Sequence, residues 1–85
     1  MARYKVHGSW TLDSTFGPFD VQSADVLDTR TGDVFREGAF RVTLDGTPAK
    51  RGKGGTVPFF GETAWCYAER LASDLALADR YGHGS

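Results

Sequence analysis

Hydrophobic and polar residues alternate along the first half of the chain with the two-residue period of β-strands. Over residues 3–12, alternate positions form one predicted core face: Tyr4, Val6, Gly8, Trp10 and Leu12. A second strand is predicted over residues 19–27, with a bulge near Gln22 and Ser23 because the alternation changes phase there. A third is predicted over residues 34–44. Turn-forming residues separate these runs, so we predict a three-stranded antiparallel meander.

The second half of the chain changes to the spacing of an amphipathic helix, predicted over residues 62–80. Its predicted apolar face contains Ala64, Ala68, Leu71, Leu75 and Ala78, and the alanines among them allow close approach to the sheet. A basic, glycine-rich loop is predicted over residues 46–57, and a frayed tail over residues 82–85. The sequence therefore predicts an α+β fold of βββα order, with the helix packed on one face of the sheet.

Length and composition limit the class of protein. The chain has 85 residues, which predicts a single domain, residues 1–85, with a thin core. It contains no apolar run long enough to span a membrane, and its first residues lack the apolar block of a signal peptide. With one cysteine, Cys66, an internal disulfide is excluded. We expect a cytoplasmic protein with no membrane contact, as a monomer or a homodimer.

No group of residues in the sequence has the pattern of a catalytic or metal site. Cys66 lies near the predicted helix start, but a catalytic cysteine needs a base. The two histidines are His7, on a solvent-facing strand position, and His83, in the predicted tail. The aspartates lack the spacing and the closing glutamate of an EF-hand loop. We expect a non-enzyme with no cofactor and no metal, and the role of Cys66 stays open.

The net charge of −1 conceals a basic segment in the loop, formed by Lys50, Arg51 and Lys53 with no neighbouring acid. The loop is not a phosphate-binding P-loop, because Gly54 stands where that motif needs Ser or Thr. Three cations neutralise about three phosphates, which is few for firm binding at physiological salt. Weak nucleic-acid binding through these three residues is therefore the alternative function that we predict.

Aspartates are concentrated in the predicted second strand and the turn after it. The four that we predict as an acidic partner-binding surface are Asp20, Asp25, Asp28 and Asp33. Such a surface would speed the encounter with a partner lined by Lys and Arg. The simpler interpretation is a solvated turn, in which aspartates accept hydrogen bonds from their own backbone. Both interpretations stay open.

Aromatic residues exceed what one alanine-rich helix can cover, with two Trp, three Tyr and six Phe in the chain. Phe59, Phe60 and Trp65 stand together at the predicted helix start, beside the basic loop. Exposed aromatic residues ringed by charge are typical of interface hot spots, so we predict this cluster as a partner-binding site. The alternative is that Phe59 and Phe60 fold back and close one end of the core.

The chain resembles the small proteins of phages and mobile elements, among which the anti-CRISPR inhibitors are a large group. The resemblance lies in the size, the sheet-then-helix order and the helix-opening segment Gly61-Glu62-Thr63-Ala64-Trp65. Anti-CRISPR proteins share no common fold, so it transfers no functional residue. It implies that the chain occludes a nucleic-acid-binding complex. We therefore expect a small protein that inhibits or regulates a protein partner.

Overall fold

The computed structural model of the chain is an antiparallel sheet with one helix packed on it, and the residues it describes are 3–50, 55 and 58–82. Three long strands and a helix follow in chain order: β1 (Tyr4–Phe16), β2 (Phe19–Asp28), β3 (Val34–Leu44) and α1 (Ala64–Gly82). β2 lies between β1 and β3, and both pairings are antiparallel. The predicted α+β class and βββα order are confirmed.

A short fourth strand, β4 (Thr47–Pro48), extends the sheet inside the segment predicted as a loop. It pairs with Thr43 and Leu44 of β3. Asp45 and Gly46 form the turn, with φ angles of 52° and 82°. Two successive left-handed residues are what a type I′ hairpin turn requires. A two-residue strand has no alternation, so hydrophobic pattern does not reveal it.

A fifth strand, β5 (Phe59–Phe60), pairs with Ala39 and Phe40 on the same outer edge of β3. The Gly61 N–H continues this pairing by donating to the Gly38 carbonyl oxygen at 3.1 Å. β5 therefore ties the chain that enters α1 to the middle of β3.

β1 is longer than predicted, because the ladder bends at the expected turn without ending there. The register shifts between Leu12 and Ser14, so Asp13 is the extra residue of a bulge, and pairing continues to Phe16. The turn between β1 and β2 falls at Gly17, whose φ is 59°. Asp13 thus bends the strand where turn-forming residues predicted its end.

The larger register shifts of the sheet come from extra residues in β1 and β3, the two strands that flank β2. In β1, residues 8–10 lie between the ladder pairs that flank Ala24, and in β3, residues 36–38 lie opposite Asp25. The bulge predicted near Gln22 and Ser23 therefore belongs to the neighbouring strands, one to three positions further along β2. Extra residues on both sides of one point increase the bend and the twist of the sheet.

The main core cluster lies on one half of the sheet. It consists of four strand residues and three helix alanines: Phe19, Val21, Phe40, Val42, Ala64, Ala68 and Ala72. The alanines are fully buried, so the backbone of α1 lies close to the strands. The other half, which we call the sheet arm, comprises residues 4–7, 25–28 and 34–37. Within the described residues, no member of the arm belongs to this cluster, although Val26 of the arm is itself buried.

In the described part of the chain, no helix combines the length and the apolar composition needed to cross a membrane.

Candidate functional site

A groove of about 750 Å³ opens where α1 stops covering the sheet. The sheet arm supplies Tyr4, Val26 and Phe35 to its lining, β5 supplies Phe60, and the first turn of α1 supplies Trp65. Phe35 is 48% exposed and Trp65 is 46% exposed. Concave, aromatic and solvent-accessible surface of this kind is typical of binding sites.

The irregular segment of β3 shapes the sheet side of the groove. Glu37 has a φ of 51°, and its backbone N–H donates to Asp25 Oδ1 at 3.1 Å, which holds the bulge against β2. Gly38 follows at the floor of the groove, where a Cβ would lie only 3.1 Å from Val26 Cγ2. Glycine at this position lets β3 return to the sheet directly after Phe35 and the bulge.

A tight turn positions the helix side of the groove. Gly61 has a φ of 105°, a conformation that side chains rarely tolerate, and its carbonyl oxygen accepts from the Ala64 N–H at 3.2 Å. α1 therefore begins at Ala64, two residues later than predicted. This turn leaves Glu62 and Trp65 on the groove lining.

The charged residues of the groove lining are mostly acidic. Asp13, Glu37 and Glu62 contribute carboxylates, and Arg36 contributes one guanidinium. All four residues are exposed. Among the described residues, none of the four forms an ion pair. The positive end of α1 adds about half an elementary charge, so the rim keeps a net negative charge.

The structure separates the three residues of the predicted aromatic cluster. Phe60 and Trp65 line the groove. Phe59 instead packs against the core and stacks on Tyr67, with ring centroids 5.9 Å apart. Neighbouring residues of a strand point to opposite faces, which explains the division. Phe59 therefore follows the alternative in which the ring packs back on the core, while partner binding by Phe60 and Trp65 stays a prediction.

Two further groove residues, Tyr4 and Phe35, are missed by reasoning from sequence. Tyr4 belongs to a regular alternating run, which assigns it to the core. Phe35 reaches the groove because of the bulge that follows it in β3. The polar-polar-glycine segment Arg36-Glu37-Gly38, which interrupts the apolar pattern of the third strand, is the signal that would have indicated a bulge here.

The four aspartates predicted as an acidic surface do not lie together. Asp20 and Asp28 stand at opposite ends of β2. The Asp28 side chain is 3% exposed, and its carboxylate accepts from Arg3 Nη2 at 3.1 Å and from the Arg30 backbone N–H at 2.9 Å. The hydrogen bond from Arg3, helped by that from Arg30, lowers the pKa of Asp28 despite its burial. The Asp28 carboxylate is therefore engaged by Arg3 and Arg30 and contributes no exposed acidic group.

The other two members of this set also have local partners. Asp25 is half-buried and accepts from the Glu37 backbone N–H. Asp33 is exposed in the β2–β3 turn and accepts from Thr31 Oγ1 at 3.0 Å. These contacts fit the interpretation of turn and bulge aspartates that satisfy nearby backbone and hydroxyl groups. The acidic groups on the groove come instead from Asp13, Glu37 and Glu62.

The predicted basic site is described only in part. Lys50 is exposed and does not line the groove. Arg51 and Lys53 lie outside the described residues, as do residues 83–85 of the predicted tail.

Potential reactive groups are few in the described part of the chain. No set of three His, Cys, Asp or Glu side chains there could hold a metal ion, and Cys66 is an exposed free thiol. The described groove lining contains no His, Cys, Ser or Lys.

Comparison with protein-family models, with curated proteins and with solved structures gives no match for this chain.

Proposed function

We propose that the chain is a small binding protein that inhibits or regulates a protein partner, and that it receives a segment of that partner in the aromatic groove. The observation that carries this proposal is the exposure of Phe35 and Trp65, one on each side of the groove, each close to half accessible to water. Complete burial of an exposed aromatic side chain is worth about 1.5–3 kcal/mol, so covering the exposed half of each ring is worth about half as much. Two such rings give a small chain a usable binding energy.

The lining favours binding over catalysis. Nucleophilic catalysis needs a nucleophile and a base within hydrogen-bond reach of each other. The described lining offers exposed carboxylates, one arginine and aromatic rings, with the phenol of Tyr4 as its single hydroxyl. These groups suit recognition of a side chain and its charge.

A finer form of the proposal follows from the resemblance to anti-CRISPR proteins, in which the partner is itself a nucleic-acid-binding complex. Its assay is cleavage of target DNA by representative CRISPR effector complexes, with and without the chain. Loss of cleavage in the presence of the chain is the expected result for this form.

The primary test is selection of peptides from a random display library on the full chain, followed by mapping of the best binder by ¹H–¹⁵N NMR. We expect the largest shift changes at Phe35, Gly38 and Trp65. The double variant Phe35→Ala/Trp65→Ala should bind at least about tenfold more weakly. Leu12→Ala is the matched control, because Leu12 is 62% exposed and lies outside the groove.

Two results would overturn the proposal. One is a set of selected peptides whose shift changes lie on another surface and whose binding survives the double variant. The other is no selectable peptide together with a gel shift on DNA or RNA that weakens steeply with salt, which would support nucleic-acid binding through Lys50, Arg51 and Lys53.

A further inference from the structure

We propose that the partner segment bound in the groove is basic, and that an arginine side chain of this segment lies against Phe35 and Trp65 beside the rim carboxylates. This inference rests on the proposed function of the groove and specifies the chemistry of its occupant.

The charges around the groove select the sign of the ligand. Three carboxylates, from Asp13, Glu37 and Glu62, stand against Arg36 and the positive end of α1. Over the described lining residues the sum is about −1.5 elementary charges when the helix end counts as one half. An acidic segment or a nucleic-acid backbone meets repulsion here, whereas a basic segment is attracted.

The aromatic rings select the same kind of group independently of the rim charges. A cation within about 6 Å of a ring centroid is attracted by the negative face of the ring, and tryptophan is the strongest partner. Phe35 and Trp65 each have a carboxylate residue close by in sequence: Glu37 follows Phe35 by two positions, and Glu62 precedes Trp65 by three.

The chain already holds two of its own arginines by this combination of ring and oxygen acceptor. Arg3 Cζ lies 5.2 Å from the Tyr4 ring centroid while its guanidinium donates to the Asp28 carboxylate. On the sheet face opposite α1, Arg41 Cζ lies 4.4 Å from the Trp10 ring centroid. Arg41 Nε donates to Gln22 Oε1 on β2 at 2.8 Å.

Phe35 and Trp65 have no such cation among the described residues. Around Phe35 and Trp65 the described residues thus combine ring and carboxylate without a cation, whereas Arg3 completes the same combination at Tyr4 on the same groove lining. Arginine fits better than lysine, because its planar guanidinium stacks on a ring and donates two parallel hydrogen bonds to a carboxylate.

The test uses the full chain and four synthetic peptides of identical length, with alternating glycine and one variable residue: arginine, lysine, citrulline or glutamate. Citrulline keeps the shape of arginine and removes its charge. Binding is followed by the two tryptophan indole N–H resonances, which the Trp10→Phe variant assigns.

We expect the arginine peptide to shift the Trp65 signal saturably, with affinity falling in the order arginine, lysine, citrulline and glutamate. The citrulline peptide should bind at least about tenfold more weakly than the arginine peptide.

Charge variants provide the second arm. Glu37→Gln/Glu62→Gln should weaken arginine-peptide binding about fivefold or more and reduce its salt dependence. Asp33→Asn/Asp74→Asn removes the same number of charges from exposed positions outside the groove, and should leave binding nearly unchanged.

Equal affinity for the arginine and citrulline peptides, or a shift of the Trp10 signal with none at Trp65, would overturn the inference. Display-selected peptides that are neutral or acidic and still map to Phe35 and Trp65 would overturn it as well, while leaving the proposed function standing. If neither the selected nor the synthetic peptides perturb the groove, the proposed function fails together with it.

Discussion

The two halves of the sheet contain similar apolar residues, but these residues are buried in one half and largely exposed at the edge of the other. In the half covered by α1, Val21 and Val42 are 0% and 2% exposed. In the sheet arm, which is built from the same strands, Val34 and Phe35 are both close to half exposed. The difference arises because α1 begins only after the Gly61 turn and covers one half of the sheet. A strand can therefore supply core at one end and recognition surface at the other, with Phe40, a core residue that also lines the groove, where the two meet.

The largest expected effect tests this separation directly. Val42→Ala removes two buried methyl groups and should lower the free energy of unfolding by about 2 kcal/mol. Phe35→Ala removes a larger but half-exposed side chain from the sheet arm, and should lower it by about 1 kcal/mol or less. Urea unfolding of both variants provides the measurement. Equal losses would contradict the division into two halves.

Gly38 lies at the boundary between the halves and should respond with an intermediate effect. In Gly38→Ala the new Cβ meets Val26 Cγ2 at 3.1 Å and Val26 Cβ at 3.2 Å, which should cost about 1 kcal/mol of stability. Val26→Ala removes the first of these contacts. The double variant should therefore lose less than the sum of the single losses, measured as a coupling energy from urea unfolding. Additive losses would show that Val26 does not restrict this position.

The covered half contains one group that weakens it. Thr43 is fully buried, and its Oγ1 has no hydrogen-bond partner within the described residues. Thr43→Val keeps the shape and removes the unsatisfied hydroxyl, so it should raise the free energy of unfolding by up to about 1 kcal/mol. Thr11→Val is the control, because Thr11 Oγ1 donates to the Ser23 carbonyl oxygen at 3.3 Å and its loss should be slightly destabilising. A loss of stability in Thr43→Val would mean that its hydroxyl is satisfied.

The smallest expected effect concerns the arm and its ion pair. The pKa of Asp28 is lower in the folded chain than its ordinary value of 3.8, so the ion pair stabilises the fold above that pH. This stabilisation is lost as the pH falls below 3.8 and passes through the lower pKa that Asp28 has in the folded chain. Because the Arg3 side chain is 44% exposed, water and salt screen the pair and keep the effect small.

Thermal unfolding of the wild type and of Asp28→Asn checks this prediction. The wild type should have the higher Tm at neutral pH, and the difference should shrink below the ordinary pKa of the carboxyl group. A difference that stays constant between neutral and strongly acidic pH would mean that the stabilisation does not come from the ionised carboxylate.

Much of the covered half could be predicted from the sequence, because its pattern is local. Helical spacing correctly placed Ala64 and Ala68 on the buried face of α1, but it also placed there Ala78, which is exposed. Strand alternation identifies β2 and β3. β1 shows where this reasoning ends. Regular alternation assigns Leu12 to the core, but the extra residues 8–10 break the regular pairing, and the side chain is largely exposed. Only the pairing with β2 reveals that break.

The groove was predictable only in part for the same physical reason. Trp65 and Phe60 could be singled out because they are adjacent to a helix start. Phe35 joins them through a bulge held by a contact between Glu37 and Asp25, twelve residues apart. The engagement of Asp28 by Arg3 spans twenty-five residues, and no local pattern in the sequence indicates it.

The outer edge of β1 has a consequence for self-association. Within the described residues β1 pairs only with β2, so its other edge is open, and open edges recruit strands from neighbouring molecules. A cross-β fibril needs about six consecutive residues in regular register. The register of β1 shifts twice, at residues 8–10 and at Asp13, and its longest regular stretch is residues 4–7. The bulge that brings Asp13 to the groove thus also helps to prevent this edge from templating fibril growth.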